Sequence, residues 1–117
     1  MADTSTITVR NDPDRHRYEL LDGDSVIGAA HWVPHEGPDG PQRIFHHTVV
    51  DDAYSGQGLA SQLVRSALDD TAEAGASAVP VCPYVKSWLE KHPDHGVRAV
   101  EVRREHLDAV RGPQPRE

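Results

Sequence analysis

The sequence predicts an α/β (α+β) fold: a mixed, mostly antiparallel sheet with helices packed on it. Three observations carry this. Residues 7–50 hold alternating extended runs separated by turn signals. The hydrophobic period changes to that of a helix at Leu59. The remaining order is strand, turn, helix, strand, helix, which packs helices against a sheet. A chain of 117 residues is near the commonest domain size, so residues 1–117 are expected to form one domain. Its core is expected over 6–95, followed by a helical carboxy-terminal extension at 96–111 and a mobile tail at 112–117.

Ile7-Thr8-Val9-Arg10 alternates, and Asn11-Asp12-Pro13-Asp14 then marks a turn. Residues 17–21 form a second extended run. Asp22-Gly23-Asp24 reads as a tight hairpin, because glycine accepts the positive φ such turns need, so residues 25–33 return antiparallel. Residues 34–41 hold three prolines and two glycines and are expected to be a loop. The next strand, 43–50, places Ile44, His46, Thr48 and Val50 on one face and Phe45, His47 and Val49 on the other, as the two-residue period requires.

From Gly58 onward Leu59, Leu63, Val64, Ala67, Leu68 and Ala72 recur at helical spacing, and Gly75 supplies the stop. Ala78-Val79-Pro80-Val81-Cys82 is an apolar run too short for a helix. Pro83 suits the first turn of the next one, whose stripe is Tyr84, Val85, Trp88 and Leu89. The His92-Pro93-Asp94-His95-Gly96 segment breaks it, and a further amphipathic helix is expected over 99–111.

Composition removes several classes of function. Twelve basic against nineteen acidic side chains give a formal charge of −7, which opposes a phosphate-tracking surface and nucleic acid as a partner. No segment has the length and apolarity of a membrane span, and the polar start lacks the pattern of a leader, so a cytoplasmic location is expected. A single cysteine, Cys82, allows no internal disulfide and agrees with a reducing compartment. His46, His47, His92 and His95 invite a metal reading, but their spacing matches no zinc helix and one cysteine makes no multi-thiolate site, so no metal is expected.

The chemistry concentrates at Tyr54-Ser55-Gly56-Gln57-Gly58-Leu59-Ala60. A strand that runs into a glycine-containing turn and then a helix points several unpaired backbone N–H groups one way, at the positive end of the helix dipole. Gly56 and Gly58 remove side chains that would hold phosphate oxygens away, and Ala60 keeps the first helical turn narrow. Gly-x-Gly before a helix is also a common way to turn a chain, so the neighbouring elements have to decide. No Gly-Lys-Ser/Thr follows, which excludes a Walker loop.

With this turn after a central strand, the chain resembles the GNAT acetyltransferases, whose cofactor turn reads Arg/Gln-x-x-Gly-x-Gly/Ala. Gly58 and Ala60 fit that pattern, while Ser55 stands where the family usually has arginine or glutamine. From His47-Thr48 to Val81-Cys82-Pro83-Tyr84 and His92-Pro93, about two thirds of the chain, it is similar to the compact single-domain members with reduced amino-terminal helices. In those a glutamate commonly follows the His-Thr pair, and here the position is Val49. The resemblance implies acetyl-CoA as cofactor, with phosphates on the backbone of Gly56, Gln57, Gly58, Leu59, Ala60 and Ser61. It implies that the strands ending at Val50 and Cys82 splay apart around the pantetheine arm, which would bond Thr48, Val49 and Val50. Pro80 and Pro83 agree, since a strand bearing prolines is not fully paired on both sides.

Cys82 would lie at the mouth of that wedge, at the start of a helix whose dipole favours a thiolate. It is the leading reactive candidate, as acyl acceptor, acid–base partner or pocket lining, against the plainer role of a small buried side chain. Direct transfer needs a base for the ammonium and an acid for the leaving thiolate, and His47 and Tyr84 are the candidates. The expected activity is acetyl transfer to a small-molecule or peptide amine. The alternatives are a non-catalytic CoA-binding or interaction module and a thiol hydrolase using Cys82.

Overall fold

The computed structural model describes residues 7–111; residues 1–6 and the expected tail at 112–117 lie outside it. Its strands are β1 (Ile7–Asp12), β2 (Arg17–Asp22), β3 (Ser25–Gly37), β4 (Gly40–Val50) and β5 (Ser77–Pro80), and its helices α1 (Leu59–Glu73), α2 (Pro83–Lys91) and α3 (Arg104–Arg111). The strands form one sheet in the order β1-β2-β3-β4-β5. The first four pair antiparallel, and β5 runs parallel to β4, a step that needs the crossover α1 supplies. Among the described residues no helix is long and apolar enough to cross a membrane.

The β2–β3 turn follows the sequence: Asp22 pairs with Ser25, and Gly23 takes a left-handed φ of 59° in the two-residue loop. The expected loop at 34–41 is instead the far end of a long β3–β4 hairpin. The prolines fit because Pro34 lies past Arg17, where β2 ends opposite His31, and Pro41 lies before Gln42, where β5 pairing begins. Each proline therefore sits where its strand has a neighbour on one side only, and a missing donor costs little there.

β4 also departs from simple alternation. His31 pairs with His47 but Trp32 pairs with Phe45, so His46 is an extra residue, a β-bulge. It divides the two faces expected for this strand: Thr48 and Val50 now share the face of Phe45, and His47 and Val49 share that of Ile44. The Phe45 face is the core, where Tyr18, Leu20, Ala30 and Trp32 meet Leu59, Leu63, Val64, Ala67 and Leu68 of α1 and Val85 and Trp88 of α2. Truncating Leu63 or Leu68 to alanine there costs about 2–5 kcal/mol. Thr71, not Ala72, completes the buried stripe of α1, its hydroxyl donating to Ala67 O at 2.8 Å. Tyr18 donates to Asp70 at 2.6 Å and Arg43 pairs with Asp70 at 3.1 Å, which pins α1 over β2 and β4.

The extension after residue 96 is only partly helical. Ala78 N–H donates to Arg98 O and Val100 N–H to Ala78 O, both at 2.8 Å, so this segment satisfies the outer edge of β5 before α3 begins. α3 then anchors on the second face of the sheet through buried His106, which bonds Gln42 Oε1 at 3.0 Å. It covers that face at the Gln42 end and leaves it bare near His47 and Val49.

Candidate functional site

Pairing between β4 and β5 ends at Phe45 and Pro80, and Cys82 N–H makes a last bond to Phe45 O at 2.7 Å. Beyond it β4 continues to Val50 alone while the chain turns into α2, which leaves a wedge. Asp51 N–H donates to Ile27 O at 2.8 Å, which sets the phase of the β3–β4 ladder. With Ala29 opposite Val49 and His31 opposite His47, those residues use their backbone groups toward β3. Thr48 and Val50 turn theirs to the open side. Of the three expected strand partners, these two direct N–H and C=O groups away from β3 and past the end of β5 pairing, without a backbone partner among the described residues, whereas Val49 is bonded into the sheet and exposes its side chain.

Next to this edge stands the turn. Gly56 and Gly58 adopt φ of 79° and 74°, a region that costs other residues roughly 1–2 kcal/mol. A Cβ at either would project into open space. Gly58 caps α1 without a side-chain hydrogen bond, and the first turn carries no acidic residue. Gln62 N–H donates to Gly58 O at 3.2 Å, so the N–H groups of Leu59, Ala60 and Ser61 precede the first bond within the helix. Unused donors, no side chain in the way and the positive helix end fit a pyrophosphate.

Cys82 caps α2, is buried, and donates its thiol to Thr48 Oγ1 at 3.5 Å across the wedge. The bulge makes this contact, since without it Thr48 would face away. His47 lies on the opposite, bare face, exposed, its ring 5.7 Å from that of His31. His46 reaches the same group, 6.1 Å from His31. Burial, with smaller contributions from neighbouring His47 and Arg17, lowers the pKa of His31; burial, then His31 and His47, lowers that of His46. His31 joins His46 and His47 at the candidate site, a neighbour that sequence reading missed, and only its register opposite His47 reveals it. Tyr84 is exposed in the first turn of α2, and partial burial raises its phenol. Among the described residues no hydrogen bond joins Cys82, His47 and Tyr84 to one another.

The histidines considered for a metal divide into two places. His46 and His47 stand at the bulge, while His92 stacks on Trp88 at 3.9 Å and His95 meets the edge of that ring at 5.5 Å. A different trio comes together: ligand atoms of His35, Glu105 and His106 lie within 4.8 Å of one another. Its polarity opposes a metal. Arg103 N–H donates to His106 Nδ1 at 2.9 Å, so the ring proton sits on Nε2, the atom that faces Gln42 and the other two groups.

Comparison with known proteins gives a consistent relationship. The model of the family described as GCN5-related N-acetyl-transferase matches residues 17–98. Protein NATD1 of Xenopus tropicalis is 28% identical over 96 residues, 80% of this chain and 84% of that protein. Protein NATD1 of Homo sapiens is 38% identical over 47 residues, 40% of this chain and 42% of its own. Among solved structures, the integron cassette protein HFX_CASS3 from the mobile metagenome of Cole Harbour Salt Marsh superposes with a TM-score of 0.54 at 18% identity. That likeness covers 65% of this chain and 52% of the other, and it speaks to the fold.

Proposed function

Because this chain belongs to the GCN5-related N-acetyltransferase family, we propose that it is an acetyl-CoA-dependent N-acetyltransferase acting on an amine. One observation carries the reading: a helix start without a side-chain cap and with two left-handed glycines stands beside a strand edge left open past Phe45. Acetyl-CoA supplies an acyl group already activated as a thioester. The backbone of residues 56–61 binds its pyrophosphate, and the free groups of Thr48 and Val50 bond the pantetheine amides as an added strand. Cys82 and Thr48 line the seat of the thioester sulfur on the helix side of the sheet.

The acceptor approaches from the bare face. His47 stands there and takes a proton from the ammonium, leaving a neutral amine to attack the acyl carbon. Tyr84 returns a proton to the departing thiolate; a raised phenol pKa keeps it in the protonated form that this role requires. Positioning supplies most of the rate. A fixed near-attack geometry removes roughly 7 kcal/mol or more of barrier, against about a hundredfold or more from one general base.

Release of free CoA thiol from acetyl-CoA, followed with a panel of small and peptide amines, tests the reading. Amine-dependent release that falls about a hundredfold in His47→Ala is expected. Tight CoA binding with no release on any amine replaces the enzyme with a binding module. Release without an amine points to hydrolysis through Cys82.

A further inference from the structure

The face of the sheet that α3 leaves bare carries a charged patch of its own. Cross-strand partners share a face in an antiparallel sheet, and so do residues two apart along a strand. Two rows follow from the register. Arg17, His31 and His47 lie side by side on β2, β3 and β4, and Arg10, Glu19 and Ala29 lie next to them on β1, β2 and β3. Strands roughly 4.8 Å apart put Arg17 about 10 Å from His47, with His31 between them. Ala29 adds no more than a methyl group to this surface, so the longer side chains form a rim around it.

Glu19 is the buried charge of the patch, 1% exposed. Arg10 brings Nε and Nη2 to its Oε1 at 3.1 and 2.5 Å, and Arg17 brings Nε and Nη2 to its Oε2 at 2.8 and 2.6 Å. The Arg10 hydrogen bond, opposed by burial and joined by Arg17, holds the Glu19 carboxyl below its usual range, so it is ionised. Two guanidiniums therefore meet one carboxylate, and the group keeps an excess positive charge in a chain whose formal charge is −7. Asp12, at the end of the Arg17 row, is matched by Arg15 at 3.9 Å. Each guanidinium at Glu19 is fixed by two contacts and keeps its Nη1 donors without a partner among the described residues. The Arg17 charge is felt along its row: burial, then His47, then Arg17 lowers the pKa of His31.

We propose that this patch binds a carboxylate of the acceptor through Arg17, so that the substrate class is an amine carrying a carboxylate a short chain away. The proposal rests on the N-acetyltransferase reading and deepens it by giving the acceptor a chemical class. A guanidinium already held in place meets a carboxylate with directed N–H donors at little further cost in ordering. With the carboxylate at Arg17 Nη1, the substrate chain runs over His31 and its amine reaches His47, the base of the proposed transfer. The added negative charge offsets the excess that Arg10 and Arg17 leave around Glu19. The span across His31 favours a carboxylate several bonds from the amine over one on the same carbon. Arg17 binds and orients and moves no proton, so its effect falls on KM.

Acetyl transfer to 4-aminobutyrate and to 6-aminohexanoate, each measured beside its carboxamide, tests this on the unmodified chain, Arg17→Ala and Arg17→Lys, with kcat/KM reckoned on the free amine. In the unmodified chain the carboxylate of each pair is expected to be preferred about tenfold, the size of one charge-assisted contact, and through KM rather than kcat. Arg17→Ala brings that ratio to within about twofold of one, and Arg17→Lys, which keeps a charge, retains part of the preference. The ratio in the unmodified chain decides the proposal even if removing Arg17 from Glu19 unfolds the sheet. Transfer without a preference for the carboxylate, or a preference that survives intact in folded Arg17→Ala, overturns the patch and leaves the acetyltransferase reading standing. If no amine of either kind is acetylated, both fall.

Discussion

His106 shows how single residues set the behaviour of this fold. It is buried, accepts Arg103 N–H on Nδ1 and bonds Gln42 through Nε2. Protonation would put a second proton where the backbone donates and a charge where water is excluded. Burial accordingly lowers its pKa from 6.5, with the His35 and Arg103 charges acting the same way and Glu105 opposing them. The unfolded chain then binds more protons than the folded one as pH falls below 6.5, so the stability that the neutral ring contributes is complete above that pH and is lost below it. His31 and His46 are shifted in the same direction and add to the trend. Thermal melts between pH 7.5 and 5 should therefore show a falling midpoint. His106→Gln, which keeps a donor near Gln42 without titrating, should make that fall shallower. An unchanged slope would show that His106 binds protons equally in the folded and unfolded chain, against the shift that burial imposes.

At the scale of elements, β4 carries the candidate site. The sequence made the strand legible by its run of Ile, Phe, Thr and Val, and the glycine turn by its place before a helical period, because both signals are local. The bulge left no such mark: His46 and His47 are alike, so one inserted residue does not disturb the visible pattern. The loop expected at 34–41 failed for a related reason, since proline content reports the missing donors but not that the neighbouring strands stop short of them. The helix expected over 99–111 begins only at Arg104, since β5 recruits residues 98–100 to complete its edge, a long-range demand. Deleting His46 should remove the bulge and leave Thr48 opposite Ala30 on the core face with Phe45, still turned toward Cys82. CoA affinity should be largely retained and the chain should still melt cooperatively. A loss of about tenfold or more in the folded deletion variant would show that the bulge does more than set the faces of 48–50.

For the molecule as a whole, α1 and α2 lie on one face of the sheet, and the small α3 leaves part of the other uncovered. On the proposed reading, that arrangement would give a cofactor and an acceptor separate approaches to the gap between Thr48 and Cys82, with the glycine turn at one side and His47 at the other. Gly56 and Gly58 point the turn, α1 supplies its dipole, and the parting of β4 from β5 supplies the free edge. The account stands on CoA using all three together. Amide shift mapping on adding CoA tests it most directly: residues 56–61 and the edge residues Thr48 and Val50 should shift together, His95→Ala should leave the response in place, and Gly58→Val should abolish it. A CoA response that spares residues 56–61, or one that survives Gly58→Val intact, would contradict the account.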